Sequence, residues 1–404
     1  MTQLLKMAFR NLGRNRRRSL LSALAVAMGL ALLVLMASFV TGEMQGALKN
    51  TIRLETGHLQ VRAASYDENK VSLDWKDLVA DPASIVAQIQ SLPQVQVASP
   101  RLIASGIVTI GDQSRGVQVI GIDPTSSANL PFQQGLVAGQ FLQPDDREGV
   151  LIGKPLADKL KLSVGDQINL LVNLSDGGVD QQLFTIRGVY STNTTAYDEN
   201  TVFLPLAKAQ AFTGAQDHAS TIFVMLKNRD EAPAVAAAVQ SPGFQVLTWQ
   251  KMNELIVQLE DFANAYMVIL YLIVLGITAT VVTNTLVMAV YERTREVGVL
   301  AAIGMKGRSI MTEFLLEAAL LATGGVIGGL ILGSLAVGYF TRYGFYVGNY
   351  GISGMLLGDF LYPILTVQNL VVLAVITYVI TLVASLYPAV MAARMEPVEA
   401  LHAQ

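Results

Sequence analysis

The chain has 404 residues, 52% of them hydrophobic and only 15% charged, with a mean hydropathy of +0.45; an ordinary soluble domain is nearer a quarter charged, so a membrane protein is expected. The net charge of −3 gives no general attraction for nucleic acid, and the lack of cysteine excludes disulfides, zinc–thiolate sites, iron–sulfur clusters and cysteine nucleophiles. His58, His218 and His402 lie far apart without metal-ligand spacing, so no metal site is expected.

Residues 1–18 place Leu4, Leu5, Ala8, Phe9 and Leu12 on one helical face with basic residues opposite. The pattern fits a helix lying in the cytoplasmic interface, and equally a run of arginines that only sets topology. Residues 19–40 carry no charge. Crossing the hydrocarbon takes about 20 apolar residues, so 19–41 reads as the first span. It is longer than the apolar region of an ordinary signal peptide and no A-x-A-like site precedes Glu43, which suggests a retained signal anchor.

Residues 42–261 are soluble in composition. "GHLQV", "DPASIVAQIQSL" and "QVQVAS" read as strand, helix and strand, and "STIFVMLK", "RDEAPAVAAAVQS" and "GFQVLTW" repeat the order. Asp81 and Asp230 are expected to cap the two helices, with Pro82 in a first turn. Two such units separated by other sequence predict a ferredoxin-like split β-α-β fold. Between them "RGVQVIGID", "EGVLIG", "DQINLLVNL" and "QLFTIRGVY", punctuated by "GD", "SDGG" and "DPTSS", predict a β-rich insert. The fold class is therefore an α-helical membrane protein with four transmembrane helices plus a large extracytoplasmic α+β domain.

Residues 262–291 are uncharged and form the second span. Residues 292–309 follow, with Glu292, Arg293, Arg295 and Glu296 crowded at their start. A helix here can pair Glu292 with Arg295 and Arg293 with Glu296, but exposed pairs stabilise by only a few tenths of a kcal/mol each, so the charges are not a stability device. Val297, Leu300 and Ala301 form a small apolar face suited to a partner's groove, and Gly304 and Gly307 end the helix. On these residues alone, a docking helix and a plain topology-setting loop both remain open.

The third span covers 310–341. Glu313 and Glu317 share one face near its start. Acidic groups at membrane depth face protein or water. Interface exposure is the simplest expectation for Glu313, whereas the deeper Glu317 is expected to pair with a basic or backbone group beneath the helix of residues 292–309, such as Arg308 or the Arg14–Arg18 cluster. Gly324 and Gly328, and beside them Gly325, Gly329 and Gly333, recur at four-residue spacing, which lets helices approach closely in lipid. The second or fourth span is the simplest partner, and an intersubunit contact the alternative. Residues 342–365, rich in glycine and tyrosine, read as an external interfacial loop, 366–391 as the fourth span and 392–404 as a tail. Lys6, Arg10, Arg14, Arg16, Arg17 and Arg18 precede the first span; Arg293, Arg295, Lys306 and Arg308 lie between the second and third; only Arg342 lies between the third and fourth. This bias places both termini in the cytoplasm and 42–261 outside. No G-x-x-x-x-G-K-[ST], G-x-S-x-G or H-E-x-x-H motif occurs, so no catalytic constellation is expected.

At "ERTREVGVLAAIGMKGRSIMTEFLLEAALLATGGVIGGLILG" the chain resembles the FtsX-like permease domain of bacterial ABC transporters of the macrolide-exporter and lipoprotein-releasing group (type VII). The likeness falls on Glu292, Arg293, Arg295, Glu296, Gly298, Leu300, Ala302, Ile303 and Gly304, then on Glu317, Gly324, Gly325, Gly328 and Gly329; Ala301 stands where the family usually carries a basic residue. "YPAVMAARMEPVEALHAQ" resembles the family's closing pattern through Pro388, Ala392, Ala393, Arg394, Pro397, Glu399, Ala400 and Leu401, with His402 in place of a final arginine. "AGQFLQPDDREGVLIGKPLADKLKLSVGDQINL", "FTIRGVY" and "VFLPLAKAQAF" are similar to the family's MacB-like periplasmic core, and "TGHLQVR" leans toward the lipoprotein-releasing branch.

The resemblance implies a non-catalytic permease subunit of the bacterial inner membrane, with residues 292–309 a coupling helix docked on cytoplasmic ABC ATPase subunits. ATP and Mg2+ belong, on this reading, to that partner, and this chain binds no cofactor. The resemblance further implies a second permease, identical or related, and mechanotransmission. ATPase closure would move the coupling helix, the second span and the external domain, for lipoprotein release or another extraction or export of a hydrophobic substrate. A lipoprotein or a periplasmic adaptor is a further partner of this reading. A membrane-anchored binding or sensory protein, or a regulator of a cell-wall hydrolase, is the alternative class.

Overall fold

The chain begins with α1 (Thr2–Arg14) and α2 (Arg16–Thr51), and α2 runs on into one π-helical turn at Ile52–Thr56. The computed structural model describes residues 2–14, 16–67, 70, 72–348 and 356–395. They divide into a sheet-bearing unit of residues 44–259 with 346–360, and a helical unit of the remainder.

The sheet-bearing unit starts with β1 (Leu59–Ala63), α3 (Pro82–Gln90) and β2 (Val95–Ile110). An insert follows, with strands β3 (Gln113–Ile122), β4 (Leu136–Gly139), β5 (Gly149–Gly153), β6 (Gln167–Asn173), β7 (Val179–Tyr190) and β8 (Thr201–Pro205). β9 (Thr221–Leu226), α4 (Ala232–Val239) and β10 (Phe244–Thr248) close the unit. The order β10-β1-β9-β2 is antiparallel throughout, the arrangement of a split β-α-β unit. The period-2 pattern of β1 turns Leu59 and Val61 onto one face, where they meet Ile89 of α3 and Val235 of α4. Asp81 caps α3, accepting from the Ser84 N–H at 3.4 Å, with Pro82 in the first turn. Asp230 does not cap α4. It lies in a 3-10 turn, Arg229–Glu231, that the chain inserts before the helix, and the cap of that turn is the Asn228 side chain, accepting from the Asp230 N–H at 3.0 Å.

β2 is 16 residues long and outruns the four-stranded sheet. Beyond Arg101 it pairs with β3 and β6, and the ring β2-β3-β8-β5-β7-β6 closes into a six-stranded barrel, with β3-β8 and β5-β7 parallel. Alternation fills the barrel: Ile168, Leu170 and Val172 of "DQINLLVNL" point inward with Val108, Val119, Ile152, Phe184 and Val202. The insert is thus a barrel sharing one long strand with the ferredoxin-like sheet. The π-helical end of α2 is fastened to this unit. Leu54 is fully buried with Phe132, Tyr190, Tyr197 and Phe203. Its carbonyl accepts from Arg101 Nη1 at 2.8 Å and from the Tyr197 hydroxyl at 3.3 Å. A cation at the carbonyl end of a helix is favourable, which suits an arginine buried over the Phe223 ring.

The helical unit continues through α5 (Glu254–Glu292), α6 (Thr294–Ala302), α7 (Gly307–Tyr343) and α8 (Val367–Ala393). Among the described residues four helices, α2, α5, α7 and α8, are long and apolar enough to cross a membrane. They leave large apolar side chains such as Phe262, Leu272, Ile277, Leu335 and Val375 exposed, as lipid-facing helices do. The glycine stripe of α7 receives α2, not the second or fourth span. A Cβ at Gly325 would lie 2.6 Å from Val26 Cβ, one at Gly329 2.8 Å from the Ala27 carbonyl oxygen, and one at Gly333 3.0 Å from Val34 Cβ. Gly328 is looser, with Ala27 Cβ at 3.4 Å, and Gly324 faces open space. The reason lies on α2, where Ala23, Val26, Ala27, Leu30 and Val34 form a matching row at three- and four-residue steps. The expected tail positions Pro397, Glu399, Ala400, Leu401 and His402 lie outside the described residues.

Candidate functional site

α5 ends at Glu292 because Arg293 leaves helical geometry (φ −111°, ψ 12°) and becomes the N-cap of α6. α6 ends just as sharply. Gly304 takes φ +97°, its N–H donates to the Ala301 carbonyl at 3.0 Å, and the Met305 N–H donates to the Leu300 carbonyl at 3.0 Å. These two bonds make a Schellman motif, and the left-handed position favours glycine. Gly307 then opens α7, where a Cβ would meet the Ala393 carbonyl oxygen at 2.8 Å. The segment is therefore a short, separately terminated helix between two spans.

Its first residue points inward. Arg293 is buried, and its guanidinium engages three carboxylates: Glu317 from Nη1 at 3.1 Å, Glu313 from Nη2 at 3.3 Å and Glu296 from Nε at 3.3 Å. Glu313 and Glu317 are each only 2% exposed. The fork geometry of arginine lets one cation satisfy both, and the Phe314 ring stands 5.5 Å from it. Glu313 also accepts from Asn11 of α1 at 2.9 Å. Around this core lie two half-exposed links, Arg14 to Glu296 and Arg18 to Glu292, the second at 2.5 Å. The hydrogen bond from Arg14 is the largest influence holding the Glu296 carboxyl below its ordinary value.

Several pairings differ from those expected. The partner of Glu317 is Arg293, rather than Arg308 or the Arg14–Arg18 cluster. Glu313 is buried beside it, not exposed at an interface. Glu292 bonds Arg18 instead of Arg295, whereas the Arg293–Glu296 pair is present. The apolar face of α6 is also turned around: Val297, with Ala301, packs against Val290, Ile310, Phe314, Ala389 and Ala392. Gly298 is buried and Leu300 half-buried. What α6 presents outward is Arg295, Val299, Ala302 and Ile303, the last 80% exposed. Asn11 was not singled out for any pairing, and Arg18 was expected, within the Arg14–Arg18 cluster, to serve Glu317 and not Glu292. The only signal for a buried cation was the i,i+4 spacing of Glu313 and Glu317, two carboxylates that cannot share a buried face without one. Among the described residues no group of three metal-ligating side chains occurs.

The chain matches two family models: the MacB-like periplasmic core domain over residues 19–241, and the FtsX-like permease C-terminal domain over residues 268–397. It is 23% identical to a lipoprotein-releasing system transmembrane protein LolC of Neisseria meningitidis, over 95% of this chain and 93% of that one. It is 24% identical to a lipoprotein-releasing system transmembrane protein LolE of Haemophilus influenzae, over 94% and 93%. It is 26% identical to a macrolide export ATP-binding/permease protein MacB of Campylobacter fetus, over 96% of this chain but only 59% of that longer one.

Proposed function

We propose, for a chain that belongs to the ABC transporter permeases built from a MacB-like periplasmic core and an FtsX-like C-terminal domain, that it is the mechanotransmitting membrane subunit of a transporter whose ATPase is a separate chain. The observation that carries this is α6, clamped from inside by Arg293 on Glu313 and Glu317 while Arg295, Val299, Ala302 and Ile303 stay outward. A helix fixed on one side and bare on the other suits docking into a partner's groove. The likeness over nearly the full length of LolC and LolE, both named as transmembrane proteins, favours an ATPase on a separate chain, which would hold the ATP and Mg2+. The basic segments beside α2 and α6 favour a cytoplasmic location for α6 and both termini.

α2 and α5 carry the motion. At 36 and 39 residues they are about 54 and 58 Å long, well beyond the ~30 Å hydrocarbon core. α5 ends one residue before Arg293. In the sheet-bearing unit, Asn253, just before α5, bonds Thr56 of the π-helical turn at 3.5 Å, so the outer ends of both helices meet. ATP-driven closure of two ATPases would displace α6 in each of two permeases, identical or related, and move their periplasmic domains. The near full-length likeness to lipoprotein-releasing proteins favours extraction of a lipoprotein or another hydrophobic substrate from the inner membrane, with a periplasmic adaptor as a further partner.

The test is co-purification of an ABC ATPase with the tagged chain from its own membranes. Arg295→Glu with Ile303→Glu is expected to abolish recruitment, while Gly324→Ala, facing open space, leaves it intact. Undiminished recruitment in the double variant would refute docking through α6.

A further inference from the structure

Residues 1–42 contain no aspartate or glutamate, yet they carry Lys6, Arg10, Arg14, Arg16, Arg17 and Arg18. Arg14 and Arg18 hold Glu296 and Glu292. Lys6, Arg10, Arg16 and Arg17 are exposed, and none has a carboxylate partner among the described residues. α1 divides its circumference three ways. Ala8 is fully buried and Asn11 bonds Glu313, so this face lies against the body of the helical unit. Leu5 and Phe9 form the next face, Phe9 being 71% exposed. Lys6, Arg10 and Arg14 form a third row at four-residue steps. At the start of α2, exposed Leu20 and Leu21 stand beside Arg16 and Arg17. A helix with protein-facing, acyl-facing and cationic faces fits a headgroup layer carrying negative charge.

We propose that α1 and the start of α2 bind the phosphodiester headgroups of anionic phospholipids, and that this binding sets the position of α6 through Arg14–Glu296, Arg18–Glu292 and Asn11–Glu313. The anionic surface draws in Lys6, Arg10, Arg16 and Arg17, and Phe9 and Leu5 insert beside them. α1 is thereby held parallel to the surface, where the row ending in Arg14 reaches the coupling segment. Without anionic lipid the like charges repel one another, α1 loosens, and α6 loses its outer links while keeping the Arg293 clamp. The lipid surface thus acts on the same helix that meets the ATPase, although headgroup binding itself does not depend on the docking reading.

The native chain has no cysteine, so labels can be placed without background. The full-length chain carrying Gly13→Cys and Val299→Cys, both at positions with room for a label, is spin-labelled and reconstituted in phosphatidylcholine vesicles with or without phosphatidylglycerol. The expected result is a single narrow interspin distance with phosphatidylglycerol and a broad distribution without it. High salt should erase the difference, because screening weakens exposed charge contacts. Lys6→Gln, Arg10→Gln, Arg16→Gln and Arg17→Gln together should give the broad distribution in both lipids, and each single change should weaken the phosphatidylglycerol dependence about fivefold. The quadruple variant must match the parent in thermal stability in phosphatidylcholine, which separates lost binding from lost folding. Identical distributions in the two lipids, or a quadruple variant that still responds, would overturn the proposal. So would narrowing by inorganic phosphate in pure phosphatidylcholine, which would mark a small-anion site instead of a lipid surface. No ATPase is present, so failure of α6 to recruit one leaves this outcome unaffected.

Discussion

Replacing Arg293 by glutamine removes the one guanidinium shared by Glu313 and Glu317, both buried, and by Glu296 at the rim. Breaking a buried ion pair from one side costs about 3–5 kcal/mol, because the remaining charge stays desolvated without a partner. Two carboxylates are stranded here, and only Glu313 keeps another donor, Asn11 at 2.9 Å, so the upper part of that range applies. Each kcal/mol shifts the melting temperature of a folding unit of 150–250 residues by about 2–4 °C, so about 4–5 kcal/mol gives a loss of roughly 8–20 °C. The assay is thermal unfolding of the purified full chain in detergent, followed by a label on a cysteine introduced at Val299. The triple variant Arg293→Gln, Glu313→Gln, Glu317→Gln removes every buried charge of the cluster and is expected to recover most of the loss, since three neutral amides can bond one another. An Arg293→Gln protein as stable as the parent would refute the buried clamp. A triple variant no better than the single would show that arginine's packing on Phe314, and not charge compensation, carries the stability.

Other consequences follow from single positions. Gly329→Val should separate α7 from α2, since its Cβ would meet the Ala27 carbonyl oxygen and Leu30 Cβ at 2.8 Å, whereas Gly324→Ala, with nothing within 4 Å, should stabilise α7 by up to ~1 kcal/mol; melting temperatures that fall equally would refute the packing. Gly304→Ala should cost about 1 kcal/mol and fray the end of α6, read as faster amide exchange at Gly304 and Met305, because φ +97° is strained for any residue with a Cβ. Asp198 is buried in the sheet-bearing unit, and burial pushes its carboxyl up to about 6 despite hydrogen bonds from Thr192 and Ser191. A raised folded-state value means its contribution is fully present below the ordinary aspartate value near 3.9 and is lost as pH rises through about 6. The parent should therefore lose about 3 kcal/mol relative to Asp198→Asn between pH 3 and 7, about 2 kcal/mol of it between pH 4 and 6; parallel stability–pH curves for the two would sink this.

The uncharged stretches and the alternating strands are local signals, and they made four spanning helices, a split β-α-β unit and a strand-rich insert legible before any fold was known. Cap chemistry was legible where it depends on the next three residues, as at Asp81 and Pro82, and failed at Asp230, where an extra 3-10 turn moved the helix start. Gly304 could be read as a helix end because a left-handed residue is a local requirement. The family likeness carried the rest of the functional reading, and it covers both domains.

Partners across the chain were not legible, because periodicity says that a face is buried and not what buries it. Glu317 called for a partner, but in sequence Arg308 lies nearer to it than Arg293 does, and nothing local showed that Glu313 would be buried beside it. Only the sharp turn at Arg293 aims its guanidinium at both carboxylates. The glycine stripe of α7 likewise predicted a close neighbour, and the complementary small residues of α2 chose which. Closure of the insert into a barrel rests on β2 being long enough to serve two sheets, a matter of register between distant strands. The same holds for α6. Its charges and apolar residues were plain in the sequence, but its outward face became Arg295, Val299, Ala302 and Ile303 only once Arg293 and Val297 were drawn inward by groups on α7 and α8.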